Sequence, residues 1–312
     1  GTDSLQGYQV DPLTAAVESA WRNGIVVVVS GGNDGTTHAS LTDPATDAYV
    51  LAVGADDVAG TAGVLDDGVA AFSSRGSASR GVDVVAPGVS IAGLRDPGST
   101  IDDQHPGAVV DGRFFRGSGT SQAAAVTAGA VALLLDARPT LTPDMVKALL
   151  RSTASPILGA TAREQGRGLI NVSAASSAAV PSTYRQSWPL ATGTGSLETA
   201  RGGEHVADNG VELTGEVDIM GQAWSGPRWI ILSARGAAWS AGSWNGSVWA
   251  GSVWDGADWM GTAWTGKSWS GKSWSDTSWS GKSWSGKSWS GKSWSGKSWS
   301  GKSWSGSNWK ST

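Results

Sequence analysis

The chain has 312 residues with 45 Gly and 11 Pro, rich in breakers for one compact fold yet below a wholly low-complexity chain. It has no Cys, which excludes disulfides, thiol nucleophiles and thiolate metal sites, and its three His are too few for a His-rich metal centre. The net charge of −4 is uneven: residues 264–312 carry eight Lys against the single acid Asp276, +7, so residues 1–263 carry −11.

The first predicted element is a helix over Asp11–Asn23, with Asp11 as cap and Pro12 in the first turn; Gly24 ends it. Ile25–Ser30 (IVVVVS) is apolar without alternation, which predicts a strand covered on both faces in a parallel sheet. Its core, Ile25–Val29, is far too short to span a bilayer, and no transmembrane segment is expected. Tyr49–Gly54 and Val82–Ala86 repeat the strand signal. Thr120–Leu135, rich in Ala, Val and Leu, reads as a buried helix. Thr142–Ser152 reads as a second, with Thr142 as cap, Pro143 in the first turn and Asp144 at the positive end. This alternation predicts a doubly wound, mostly parallel α/β sheet with helices on both faces over residues 1–180. Ligands of such sheets bind beyond the carboxyl ends of the strands. Residues 181–223 read as a linker, with a strand or hairpin at 212–219 and no evident chemistry.

Residues 224–312 are a Trp-rich tail. Trp stands at 224, 229, 239 and then every fifth residue to 309, in units whose purest form is W-S-G-K-S. Period five is neither helical nor strand-like. Three readings stay open: a β-solenoid turning once per pentad, a flexible Gly/Ser tail displaying Trp, or a collapsed Trp stack. Trp faces stack on sugars, bases and lipid interfaces, and the Lys add attraction to polyanions. A cell-wall or other surface polymer is therefore a candidate partner, against a self-packed tail; nucleic acid is the weaker partner. Gly261-Thr-Ala-Trp-Thr-Gly266-Lys267-Ser268 matches a phosphate-loop pattern, but no apolar strand precedes it and the repeat generates it automatically.

Two short motifs carry chemistry. Ser30-Gly-Gly-Asn33-Asp-Gly35 follows the first predicted strand and would expose an Asn amide at the carboxyl edge of the sheet; read alone it is a Gly/Asn turn. Arg116-Gly-Ser-Gly-Thr-Ser121 opens the apolar helix and puts Ser121 among unpaired N–H groups that favour an oxyanion; read alone it is a helix cap.

Between them come Ala52-Val-Gly-Ala55, Phe72-Ser-Ser-Arg-Gly76 and Val84-Val-Ala-Pro-Gly88, and after them Gly166-Arg-Gly-Leu-Ile-Asn-Val172. In this order and spacing, residues 1–178 resemble the carboxyl-terminal part of the catalytic domain of the subtilisin-like serine proteases. The resemblance implies a secreted endopeptidase acting on polypeptides. Ser121 would be the nucleophile, and Asn33, with the Ser121 N–H, the oxyanion donor. Ser30, Gly31 and Gly32 would line one wall of the pocket for the residue before the cut, their small size keeping it open, and Gly119 and Thr120 would border the substrate. It implies no organic cofactor. Calcium is common in the family, but no ligand cluster is assigned and no metal site is expected.

Two features depart from the family. Its Asp and His precede the oxyanion Asn, and neither motif is present. His38, His105 and His205 all follow Asn33 in unmatched contexts. A Ser without a base is a poor nucleophile. The chain is therefore expected to lack the amino-terminal part of the domain and to be inactive by itself. Its Gly1 start, with no visible signal peptide, says nothing about destination. After Ser121, the family's Pro and His are replaced by Ala125 and Val126. That supports an alternative: a non-catalytic peptide- or surface-binding protein anchored by its Trp tail.

Overall fold

A computed structural model describes residues 1–37, 40–203, 205, 207–208, 211–212, 214–218, 223–235, 239–240, 243–244, 247–248, 264–265 and 279–280. The chain divides into two compact units. One comprises Gly1, Gly7–Gly93 and Arg116–Ala191; the other comprises Thr2–Gln6, Leu94–Phe115 and Thr192–Thr312. The helices, in chain order, are α1 Pro12–Arg22, α2 Thr100–Gln104, α3 Thr120–Ala137, α4 Pro143–Thr153, α5 Ala162–Gln165, α6 Val172–Ser177, α7 Leu197–Arg201 and α8 Gly226–Ala234. The sheet of the first unit is built from β1 Val28–Ser30, β2 Leu51–Asp57, β3 Gly68–Val69 and β4 Val84–Pro87.

Strand β2 is central. It pairs in parallel with β1 (Ser30↔Val53) and with β4 (Ala55↔Ala86), and antiparallel with β3 (Asp56↔Val69). Alternation along the strands sorts side chains to two faces. Leu51, Val53, Ala55, Val84 and Ala86 join one core cluster with Trp21 of α1, Val131 and Leu134 of α3, Leu149 and Leu150 of α4, and Ala175 of α6. Ala52 and Val85 face a second cluster with Leu41, Ala45, Val82 and Ile157. The sequence predicts helices on both faces; among the described residues α1, α3, α4 and α6 pack on one face only, and loop residues such as Leu41, Ala45 and Ile157 cover the other, because the apolar helix faces all meet the same side of β2 and β4.

Two expectations change in detail. Ile25–Ser30 narrows to the three residues of β1, each half-buried, rather than a strand covered on both sides. Its pairing explains this: β2 is its one neighbour in the sheet among the described residues. Helix α3 is apolar all round and, by length and composition, long enough to cross a membrane. It packs instead on β1, β2 and β4 as a core helix. Only one side is covered, through Ala123, Thr127, Val131 and Leu134; Ala125, Ala128, Ala132 and Leu133 are exposed.

Helix starts follow the sequence closely. Asp11 accepts from Leu13 N (2.7 Å) and Thr14 N (3.3 Å) at the head of α1. Thr142 accepts from Met145 N at 3.4 Å at the head of α4. The amino ends of β2 and β4 are tied by ions. Lys147 of α4, 3% exposed, donates to the carbonyls of Ala48 (2.6 Å) and Val50 (2.8 Å) and pairs with Asp83 at 3.2 Å. Asp83 also pairs with Arg80 at 3.2 Å and accepts from Ala52 N at 3.0 Å. Burial alone would raise the Asp83 carboxyl, but Lys147, Arg80 and Arg151 outweigh it and hold it below its ordinary range. Burial pulls Lys147 down to about 8.

In the second unit, α7 is capped by Ser196, whose backbone exchanges two bonds with the Gln6 amide (2.8 and 3.1 Å). Glu198 gathers Arg201, His205 and Gly215 N at 3.2, 2.8 and 2.8 Å. Arg95 grips Asp102 through both Nε (2.6 Å) and its terminal nitrogen (2.8 Å). At the start of the Trp-rich region, where period five predicts no helix, residues 226–234 form α8, with the Trp224 and Trp229 rings 5.5 Å apart. Trp239–Ser240, Ser243–Trp244 and Ser247–Val248 then pair antiparallel, Trp239 opposite Trp244. Most of the rest of the region and nearly all of the phosphate-loop pattern lie outside the described residues.

Candidate active site

The carboxyl ends of β1 and β4 lead into the two motifs. Beyond β1, Gly31 N donates to Val53 O (2.9 Å) and Gly32 N to Thr120 Oγ1 (3.2 Å). A Cβ on Gly31 would lie 2.9 Å from Val82 Cγ1. One on Gly32, whose φ is +110°, would lie 2.8 Å from Ser74 Oγ. Packing beneath the strip therefore demands glycine at both positions. Beyond β4, Gly88 O accepts from Gly119 N at 2.8 Å, which seats the loop before α3 against the sheet.

Asn33 Oδ1 accepts from both Thr120 N and Thr120 Oγ1, each at 2.9 Å. Thr120 is fully buried, so this side of the Asn amide is fixed. With Oδ1 so engaged, Nδ2 is left without an acceptor among the described residues, and Asn33 is exposed. Ser121 stands in the first turn of α3, also exposed, with no acceptor for its N–H among the described residues.

Gly119 measures how these donors relate. A Cβ built there would lie 2.8 Å from Gln122 Oε1, 3.5 Å from Asn33 Nδ2 and 3.7 Å from Ser121 N. Two unpaired N–H donors thus flank one small volume, with the amide oxygen of the half-buried Gln122 side chain at its edge, where a substrate oxygen would have to displace it. An oxygen gaining negative charge there would meet both donors and the positive end of α3. The structure brings Asn33, Gly119, Thr120 and Ser121 together, with Gly31 and Gly32 adjoining through Thr120 and Ser30 at the end of β1.

Residues without an assigned role in the sequence turn out to brace this rim. Ser74 Oγ accepts from Asp34 N (3.0 Å) and Ser74 N donates to Gly32 O (3.0 Å). Ser73 Oγ accepts from Ala55 N at 3.0 Å. Their signal was present in the Phe72–Gly76 motif, but partners 18 to 42 residues away leave no local pattern. At the same rim, burial, then Asp67 and Asp57, push the Asp56 carboxyl up to about 7, and neither of its oxygens has a hydrogen bond.

No base accompanies Ser121 among the described residues. His105 and His205 belong to the other unit, and His38 lies outside the described residues. Among the described residues there is also no group of three His, Cys, Asp or Glu suited to a metal ion.

The model of the subtilase family, peptidase S8, matches residues 2–195. The serine protease AprX of Bacillus subtilis is 43% identical over 176 residues, covering 55% of this chain and 40% of that protein. An extracellular protease of Xanthomonas campestris is 37% identical over 53% of this chain and 26% of its own length. Subtilisin of Bacillus pumilus is 39% identical over 52% of this chain and half of its own length. The chain thus spans about half or less of these relatives. A crystal structure of fervidolysin from Fervidobacterium pennivorans is 29% identical over 62% of this chain and 26% of that chain, with a TM-score of 0.44.

Proposed function

The chain belongs to the subtilase family, and from that premise we propose that it carries the nucleophile half of a serine endopeptidase site. Ser121 Oγ is the nucleophile. It attacks the scissile carbonyl carbon, and the carbonyl π pair moves onto oxygen. Asn33 Nδ2 and Ser121 N–H receive that oxyanion. Gly119 and Thr120 border the substrate, and Ser30, Gly31 and Gly32 form a wall for the residue before the cut. Thr120 also has a positioning role, holding the Asn33 amide. The observation that carries this reading is the pair of unpaired donors beside Gly119, with Gln122 Oε1 next to them.

The hydroxyl proton needs a base, and no His or Asp stands beside Ser121 among the described residues. The 312-residue chain by itself is therefore inactive in this reading. The test is labelling by a fluorophosphonate together with peptide turnover. The chain alone gives neither. With an Asp-x-Gly and a His-Gly-Thr segment supplied upstream, Ser121 is labelled and Ser121→Ala is not. Ser121-dependent cleavage by the chain alone would overturn the inactivity. A complete protein that stays unlabelled would favour a non-catalytic peptide-binding role, which Ala125 and Val126 after the nucleophile also fit.

Action outside the cell is supported by the Xanthomonas relative, described as extracellular. The 17 Trp and the Lys of residues 224–312 suit attachment to a surface polymer. Deleting 224–312 should abolish that attachment and leave the melting of the first unit unchanged.

A further inference from the structure

We propose that the first unit carries a second site, an oxyanion-binding cavity at the amino ends of its strands. It takes a ligand bearing a carboxylate or phosphate group. The cavity, about 510 Å³, lies between α4 and the segment 181–186, with Lys147, Arg151 and Arg167 in its lining. That is the size of an ordinary small-ligand site. Asp83, just before β4, pairs with the lining residues Lys147 and Arg151, whereas Gly88, just after β4, accepts from Gly119 N beside Ser121. The two sites are thus separated by the length of the strand, roughly 16 Å at the usual rise.

The charge at this end does not balance. Asp83 meets three cations: Lys147 and Arg80 at 3.2 Å and Arg151 at 3.6 Å. The last distance is too long for a hydrogen bond, and the buried Arg151 Nε has none. A fourth cation starts beside the same residue, because Arg167 N donates to the backbone carbonyl of Asp83 at 3.0 Å. The Arg167 side chain is exposed and has no hydrogen bond or ion pair among the described residues. The one acid in the lining, Asp144, is already engaged by Trp21 Nε1 (2.8 Å) and by Gln186 Nε2 (2.9 Å) and N (3.2 Å). Asp47, the other carboxylate that feels Arg80 and Lys147, does not line the cavity.

The Arg167 guanidinium therefore has no ion pair among the described residues, and Arg151, beside it in the lining, is held by Asp83 only at 3.6 Å, inside a body whose residues 1–263 carry −11. A cleft of one sign with low-dielectric walls concentrates ions of the other. The guanidinium fork matches carboxylate and phosphate alike, and the shared requirement is a planar or tetrahedral oxyanion. Ala148, Ala154, Pro156 and Pro181 supply apolar wall for the remainder of the ligand.

Isothermal titration of the full chain with inorganic phosphate and, separately, with succinate at constant ionic strength tests this. One-to-one binding of at least one probe is expected, with Kd below about 1 mM. Arg167→Gln should weaken it tenfold or more. Arg167→Lys, which keeps the charge but not the fork, should weaken it less, and it provides the test should Arg167→Gln not fold. Phosphate alone or succinate alone identifies the source of the oxyanion. Binding of neither probe, or an affinity unchanged in both Arg167 variants, overturns the proposal.

Discussion

The two ends of one sheet are built on opposite principles. At the carboxyl rim the chain removes side chains, through Gly31, Gly32, Gly88 and Gly119, and leaves neutral donors pointing at open space. At the amino rim it fills the space with ions, Asp83 against Lys147, Arg80 and Arg151, and consumes nearly every polar atom in holding strands and helix together. The contrast separates positions that wait for a ligand from positions that hold the fold. A reactive oxygen needs donors that nothing else satisfies, whereas a buried ion is tolerated only when its partners are supplied. Arg167 is the instructive exception: at the structural rim, it alone of the four cations around Asp83 has no ion pair among the described residues.

The contrast can be broken most forcefully at Asp83. Asp83→Asn leaves Lys147 and its neighbours without their counter-charge and should cost about 3–5 kcal/mol in urea unfolding. A loss much below that would mean the amino rim is not held by charge.

The rims should also respond to pH with opposite sign. The lowered Asp83 contributes stability above its unfolded value that is lost as pH falls through its folded one. Asp56 at the carboxyl rim, raised to about 7 by burial and by Asp67, works the other way. Its contribution is complete below about pH 4 and fades as pH rises to 7, by up to about 1.4 kcal/mol per pH unit. Asp56→Asn should make the descent shallower in melting measured from pH 4 to 8, the remainder coming from other carboxyls raised by burial, Glu18, Asp43 and Asp47. An unchanged slope would show that the Asp56 carboxyl is solvated after all.

The smallest effect sharpens the comparison at the carboxyl rim. Thr120→Val keeps shape but deletes the hydroxyl that joins Asn33 Oδ1 to Gly32 N. Stability should drop by about 1 kcal/mol. The side-chain amide resonances of Asn33 should broaden or shift while those of α4 stay in place. Resonances unmoved at Asn33 would deny Thr120 its positioning role.

Much of the carboxyl rim was legible in the residues because each of its devices is local. Ser30–Gly35 and Gly117–Ser121 place donors at a strand end and a helix start, as Asp11-Pro12 and Thr142-Pro143 announce helix starts elsewhere in the unit. The amino rim was not legible. Lys147 and Asp83 are 64 positions apart, and a lysine between Val146 and Leu149 reads as helix surface until the fold turns it inward. The one-sided cover of α3 was hidden for a related reason: a helix apolar all round gives no clue to which face is packed. Val126 half-packs on the core while Ala125 is exposed, so the two replacements after Ser121 fall on different faces of α3.

An oxyanion site at the carboxyl rim requires Asn33 Nδ2 and Ser121 N to border the same space beside Gly119. Nuclear Overhauser contacts from the Asn33 side-chain amide protons measure this most directly. That arrangement predicts cross-peaks to the Gly119 α-protons, with the amide exchange of Asn33 and Ser121 rapid for want of acceptors. An Asn33 amide with strong contacts elsewhere and none to Gly119 would contradict it.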